Sequence, residues 1–140
     1  MIAIDTNVLL RYLLLDDELQ ARKASKLIAG SELVFISHVV IVETVWTLAG
    51  KKYKVPPSDI HEAMVTLFSE ENIVVQDAQV VWRALADYQK YCIELNKKID
   101  FPDTLIFHTG KDAAQQYEET FDGLYTFDAA ARCLPGAIAP

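Results

Sequence analysis

Ile2-Ala3-Ile4 is an apolar run of three residues that stops at Asp5. A run this short cannot form the buried face of a helix. Behind it, Val8, Leu9, Tyr12 and Leu13 recur at helical spacing, so the opening predicts a buried strand that feeds a helix. The pattern returns along the chain. Leu33–Ser37 predicts a second strand, ahead of a helix from about Val39 to Ala49 that Gly50 ends. Ile73–Val75 predicts a third, ahead of a long helix that Asp77 starts and that carries Val80, Val81, Ala84, Leu85, Tyr88, Cys92 and Leu95. Leu124–Phe127 predicts a last one, ended by Asp128. Strands separated by helices imply an α/β fold with a mainly parallel sheet, because parallel neighbours need a crossover between them. The 140 residues suit a single domain over 1–140, with residues from about 134 onward, opened by Pro135 and Gly136, as a C-terminal tail.

Smaller signals complete the outline. Asp17 opens a second helix with capping-box-like spacing to Gln20, and Gly30 stops it. Ser58 is the candidate cap of a helix whose apolar face is Ile60, Ala63, Met64, Leu67 and Phe68. Pro102 fits the last position before a short helix start over Thr104–His108. The apolar stretches Ile60–Phe68 and Val80–Leu95 read as core, with Arg83, Tyr88 and Tyr91 as alternatives for a partner surface.

Thirteen Lys and Arg against twenty Asp and Glu leave a formal charge of −7. A protein that binds nucleic acid by covering it with cations is excluded. Contact with nucleic acid would have to come from a local basic patch or through metal ions. Arg11, the cluster Lys51, Lys52 and Lys54 around Tyr53, and Lys97-Lys98 are the candidates, each of which also suits an ordinary solvated surface. Two cysteines, Cys92 and Cys133, make neither a disulfide framework nor a zinc site. The histidines at 38, 61 and 108 are scattered, and there is no nucleophile elbow, P-loop or dinucleotide fingerprint. No apolar run approaches the ~20 residues of a membrane span. The start MIAIDTN has no signal-type stretch, so the chain reads as cytoplasmic.

The chemistry lies in the acids. Asp5 and Asp128 fall where a predicted strand ends, which is where open α/β sheets place ligands. Each also suits a helix or turn cap. Glu43 sits among Val39, Val40, Trp46 and Thr47 on its helix, an apolar setting that would demand a cation if the carboxylate were buried, and a solvent-facing position if it were not. Asp103, with Asp100 three residues before it, approaches one helix start, where an N-cap is the alternative. Asp122-Gly123 reads as a turn. Taken together, carboxylates at the ends of parallel strands suit a hard cation such as Mg²⁺ or Mn²⁺.

The opening Met1-Ile2-Ala3-Ile4-Asp5-Thr6-Asn7-Val8-Leu9-Leu10-Arg11-Tyr12-Leu13 resembles that of the PIN-domain family, specifically the VapC-type toxin ribonucleases of toxin–antitoxin pairs. The Asp16-Asp17 step, the Glu43 helix, Asp100-Phe101-Pro102-Asp103-Thr104-Leu105-Ile106 and Thr126-Phe127-Asp128 follow in family order. The resemblance implies a three-layer α/β/α domain, often a homodimer. It implies that Asp5, Glu43 and Asp103 are metal-binding, catalytic acids with Asp128 as the fourth, supported by Thr6, Asn7 and Thr126. The implied activity is Mg²⁺- or Mn²⁺-dependent endonucleolytic cleavage of RNA to 5′-phosphate and 3′-hydroxyl ends, silenced by an antitoxin protein. Phe107-His108-Thr109-Gly110 replaces the small residues usual after the third motif, and the stretch from Asp103 to Asp128 is longer than usual, so Asp122 competes with Asp128 for the fourth place.

Three rivals remain at this level. A Mg²⁺-dependent phosphatase of the haloacid-dehalogenase type needs a second Asp where this chain has Asn7. A receiver-type phosphoacceptor needs an acid pair after the first strand and a late activating Lys. An inactive PIN-like module would serve only to bind a protein.

Overall fold

The computed structural model describes all residues 1–140, which divide by their internal contacts into two compact units, residues 1–76 and 77–140. In the first, Ile2–Ala3 forms β1 and pairs in parallel with β2, Val34–Ile36, which pairs in turn with β3, Ile73–Val75. The register sets Ile2 opposite Val34, and Val34 opposite Ile73. The central strand buries Val34 and Ile36, as a strand with neighbours on both edges should.

Each crossover is helical. Between β1 and β2 lie α1, Thr6–Leu14, and α2, Glu18–Ala29. Asp17 caps α2 as predicted, accepting the Gln20 N–H at 2.9 Å. Leu15 ends α1 in the left-handed conformation. Between β2 and β3 lie α3, His38–Ala49, and α4, Pro57–Phe68. Ser58 does not cap α4. Pro56 holds the cap position with no side-chain bond, and Pro57 occupies the first turn, where its fixed φ and missing N–H cost nothing. The predicted face of α4 is otherwise as read: Ile60, Met64, Leu67 and Phe68 are buried.

In the second unit, α5, Ala78–Asp87, is followed without a break by a π-helix, Tyr88–Glu94. The predicted long helix is therefore two geometries end to end. Tyr88 and Tyr91 are buried, which makes them core and removes them as surface candidates. The next helix, α6, spans Phe101–Gln116. It starts earlier than predicted, with Pro102 inside the first turn, and continues through Gly110. Phe107 explains the unusual sequence here. Its ring joins Tyr91, Ile99, Leu134 and Ala137 in a core cluster and meets Phe121 edge-on at 5.5 Å.

The last predicted strand, β4, is Leu124–Tyr125. It pairs in parallel with β5, Ala137–Ile138, rather than with the sheet of the first unit. Residues 134–140 are thus not a loose tail, since Leu134 is 1% exposed and β5 is hydrogen-bonded. Gly123 admits this pairing. Its φ is +129°, and a Cβ there would stand 2.6 Å from the Gly136 carbonyl oxygen. With six α-helices and a parallel sheet, the fold is the α/β class that the sequence predicts. No helix is long and apolar enough to cross a membrane.

Candidate active site

Asp5 stands exposed just beyond β1. Its Oδ1 accepts the Val8 N–H at 2.9 Å, so it does cap α1. The next residue reaches across to α3, where the Thr6 hydroxyl donates to Glu43 Oε2. A strand end and the middle of a helix far along the chain are joined by this bond, with Asp5-Thr6 on one side and Glu43 on the other. Asn7 turns away and, with Arg11, Lys23 and Leu27, lines a groove of about 230 Å³ between α1 and α2.

Glu43 is not enclosed by apolar side chains. It lies on the exposed face of α3, where Val39 and Trp46 are themselves 65% and 60% exposed. Val40, Ile41, Thr44, Val45 and Leu48 take the buried face. A solvated carboxylate bonded by a hydroxyl needs no facing cation, so the demand for one lapses.

At the far end of α1, Arg11 Nη1 donates to Asp16 Oδ1 at 2.5 Å, and the Tyr53 hydroxyl donates to Asp16 Oδ2 at 3.1 Å. The Arg11 hydrogen bond holds the Asp16 carboxyl below the usual carboxylate range, and Asp16 raises the guanidinium in return. Arg11 therefore spends its charge inside the chain. The turn it is tied to, through Asp16 and Tyr53, carries Lys51, Lys52 and Lys54, all exposed, with Lys52 Nζ 5.1 Å from the Tyr53 ring centre.

In the second unit, Asp100 rather than Asp103 is the N-cap of α6. Asp103 lies in the first turn, half-buried, and its Oδ2 accepts the Asp100 backbone N–H at 3.3 Å. Burial pushes its carboxyl above the usual range. The charges of Asp100 and Asp128 push in the same direction, against the Asp100 hydrogen bond. The later acid whose charge acts on Asp103 is thus Asp128. Thr126 fixes that acid: its Oγ1 accepts the Asp128 N–H at 3.0 Å, and Asp128 Oδ1 accepts the Ala130 N–H at 2.8 Å. Asp122 is exposed on the approach to β4.

One pair escaped the sequence. His108 Nε2 meets Asp87 Oδ2 at 2.7 Å, between α6 and α5. The 21-residue separation crosses the non-helical residues 95–100, so no periodicity could reveal it. Arg11–Asp16 escaped for a related reason, because the left-handed Leu15 folds the chain back between them.

The structure brings together Asp5, Thr6 and Glu43 in one unit, and Asp100, Asp103, Thr126 and Asp128 in the other. No group of three or more His, Cys, Asp or Glu is gathered as a ready ligand set. In chemistry, the donors fit a hard divalent cation, being carboxylates throughout. Asp103 fits it electrically as well, since its carboxyl is raised by burial first and by the charges of Asp100 and Asp128 after that, and a bound cation would act in the opposite direction.

No curated protein and no solved structure matches the chain. The family model for the PIN domain matches residues 2–130. PIN domains have a nuclease-type fold, are generally metal-dependent nucleases, and typically use divalent ions. With all but its first residue and last ten matched, the chain belongs to the PIN domain family.

Proposed function

We propose that this chain is a Mg²⁺- or Mn²⁺-dependent endoribonuclease, the toxin of a toxin–antitoxin pair, and that Asp5, Glu43, Asp103 and Asp128 are its metal-binding acids. The observation that carries the reading is the Thr6–Glu43 bond. It holds the second acid of the family order beside the strand end that bears the first. The effect of Asp128 on Asp103 supports Asp128 over Asp122 as the fourth.

The metal would supply an activated water and offset charge on the phosphoryl oxygens. This chain's residues would hold and orient it: Thr6 fixes the Glu43 carboxylate, the Asp100 N–H fixes Asp103, and Thr126 fixes the turn at Asp128. Cleavage would leave 5′-phosphate and 3′-hydroxyl ends without using the RNA 2′-hydroxyl as nucleophile. The exposed Val39 and Trp46 on α3 are the kind of apolar surface that a second copy or an antitoxin would cover. A cytoplasmic setting follows from the same reading.

The test is RNA cleavage by the purified chain with Mg²⁺ or Mn²⁺, beside EDTA and Asp5→Asn, with product ends identified. Metal-dependent cutting that Asp5→Asn abolishes is the expected result. Cyclic 2′,3′-phosphate ends would refute the mechanism. Absence of both cleavage and metal binding would leave a protein-binding module in its place.

A further inference from the structure

We propose that the pocket between α5 and α6 holds a phosphate of bound RNA through Arg83 and Lys111, an inference that rests on the nuclease reading above. The pocket lies wholly within the second unit and has a volume of about 260 Å³. Arg83 of α5 lines it together with His108, Lys111, Asp112 and Gln115 of α6. All five side chains are polar.

The charges around this pocket are paired unevenly. Helical spacing makes Asp87 a neighbour of Arg83, four residues along α5. Its carboxylate is turned instead to α6, where His108 Nε2 meets Oδ2 at 2.7 Å. Asp112 lies four residues after His108, and its Oδ2 accepts an N–H of the Gln116 side chain at 2.7 Å. Both acids are therefore engaged. Arg83 and Lys111 are exposed, and neither side chain has an acid or a hydrogen-bond partner. Acids outnumber cations in this chain, twenty to thirteen. Two unpaired cations lining one concavity are thus a local surplus that an anion would offset.

The chemistry favours a phosphate that belongs to a polyanion. No apolar side chain lines the pocket, whereas a protein interface is built around an apolar centre. The planar fork of Arg83 matches phosphate oxygens, and Gln115 adds an uncharged amide donor. A free phosphate would gain only contacts with solvated cations, since Arg83 and Lys111 are exposed. A phosphate of an RNA held elsewhere on the chain reaches the pocket at high effective concentration, which makes the same contacts sufficient.

The experiment measures the affinity of labelled single-stranded RNA at several salt concentrations. The parent is the full chain carrying Asp5→Asn to prevent cutting, and the neutral variant adds Arg83→Gln and Lys111→Gln. Loss of one phosphate contact should flatten the slope of log affinity against log salt by about 0.7 and weaken binding roughly five-fold at about 0.1 M salt. Exchanging the two cations, Arg83→Lys with Lys111→Arg, keeps both charges and should keep the parent's slope. Both variants should melt as the parent does, because neither side chain is buried or paired. Unchanged slope and affinity in the neutral variant overturn the site. An exchange variant that binds as weakly as the neutral one also overturns it, because the effect would then follow from packing rather than charge. A second arm adds inorganic phosphate. If phosphate raises the melting temperature of the parent alone, while RNA affinity is the same for parent and neutral variant, the pocket takes free phosphate and the RNA assignment is overturned. A fall in oligomer mass for the neutral variant with RNA affinity unchanged assigns the cations to a protein contact, with the same consequence. If the wild-type chain cuts RNA while the neutral variant binds as its parent does, only this site fails. If the chain neither binds nor cuts any RNA, the nuclease reading fails with it.

Discussion

Asp103 shows at one residue how a proposed metal-binding acid opposes the fold that holds it. Its carboxyl is raised by burial first and by Asp100 and Asp128 after that. Between the ordinary carboxylate range and the raised folded value, the folded chain holds a proton that the unfolded chain releases. Ionisation therefore costs stability, with no cost below the unfolded value and the full cost above the folded one. Asn keeps an oxygen for the Asp100 N–H and discards the charge. Asp103→Asn should accordingly raise the urea midpoint at about pH 7 and change it little at about pH 3, where the parent carboxyl is protonated. Added Mg²⁺ should raise the parent's midpoint at neutral pH, and raise that of Asp103→Asn less. A variant no more stable than its parent at neutral pH would refute the electrostatic account. Its place at a helix start beside Asp100 was legible in the sequence, but its burial was not. Glu43 failed in the opposite sense. Its neighbours in sequence are apolar, yet Val39 and Trp46 share its exposed face, and helical periodicity cannot say which of two apolar faces is turned inward.

At the scale of elements, the places where strands and helices begin were legible wherever a side chain or a ring enforces them. Asp5, Asp17 and Ser37 each accept a first-turn N–H from their helix. Boundaries set by distant packing were not legible. Nothing local distinguishes the bonding of α5 from that of the π-helix after it, because apolar residues at helical spacing suit both. Gly110 is the clearest case. The sequence predicts only a short helix start over Thr104–His108, yet α6 runs through Gly110 to Gln116. A glycine suits the position because the Phe121 ring would be 3.1 Å from a Cβ there. Two effects compete in Gly110→Ala: a helix-propensity gain of up to about 1 kcal/mol and contact with that ring. Phe121 lies outside any helix or strand and is only partly buried, so a shift of a few tenths of an ångström is within its reach. Gly110→Ala should therefore raise the melting temperature, while Gly110→Leu should lower it by displacing the ring from Phe107. Destabilisation by both would show Phe121 to be as rigid as the core it covers.

For the whole molecule, the question is how a chain with a formal charge of −7 would hold the polyanion that the proposed function assigns to it. Long-range repulsion acts against it everywhere except where cations are concentrated, and Arg11 is already spent on Asp16. The exposed lysines at 51, 52 and 54 remain, on a turn tied through Tyr53 to Asp16 and thus to α1. The sequence showed the cluster, but its attachment to the helix that begins at Asp5 needed the structure. If these lysines contact RNA phosphates, each contact releases counterions, and the affinity falls with salt by a slope of about 0.7 per single-strand phosphate. Replacing Lys51 and Lys52 by Gln should then flatten the slope of log affinity against log salt by about 1.4 and weaken binding alike for every RNA sequence offered. The fold should be unaffected, since neither side chain is buried or paired with an acid. Titrations of the parent and the lysine variant at several salt concentrations would measure this electrostatic part of binding. An unchanged slope in the lysine variant would remove the turn from the binding surface and leave the second unit's cations, Lys97 among them, to offset the chain's own charge.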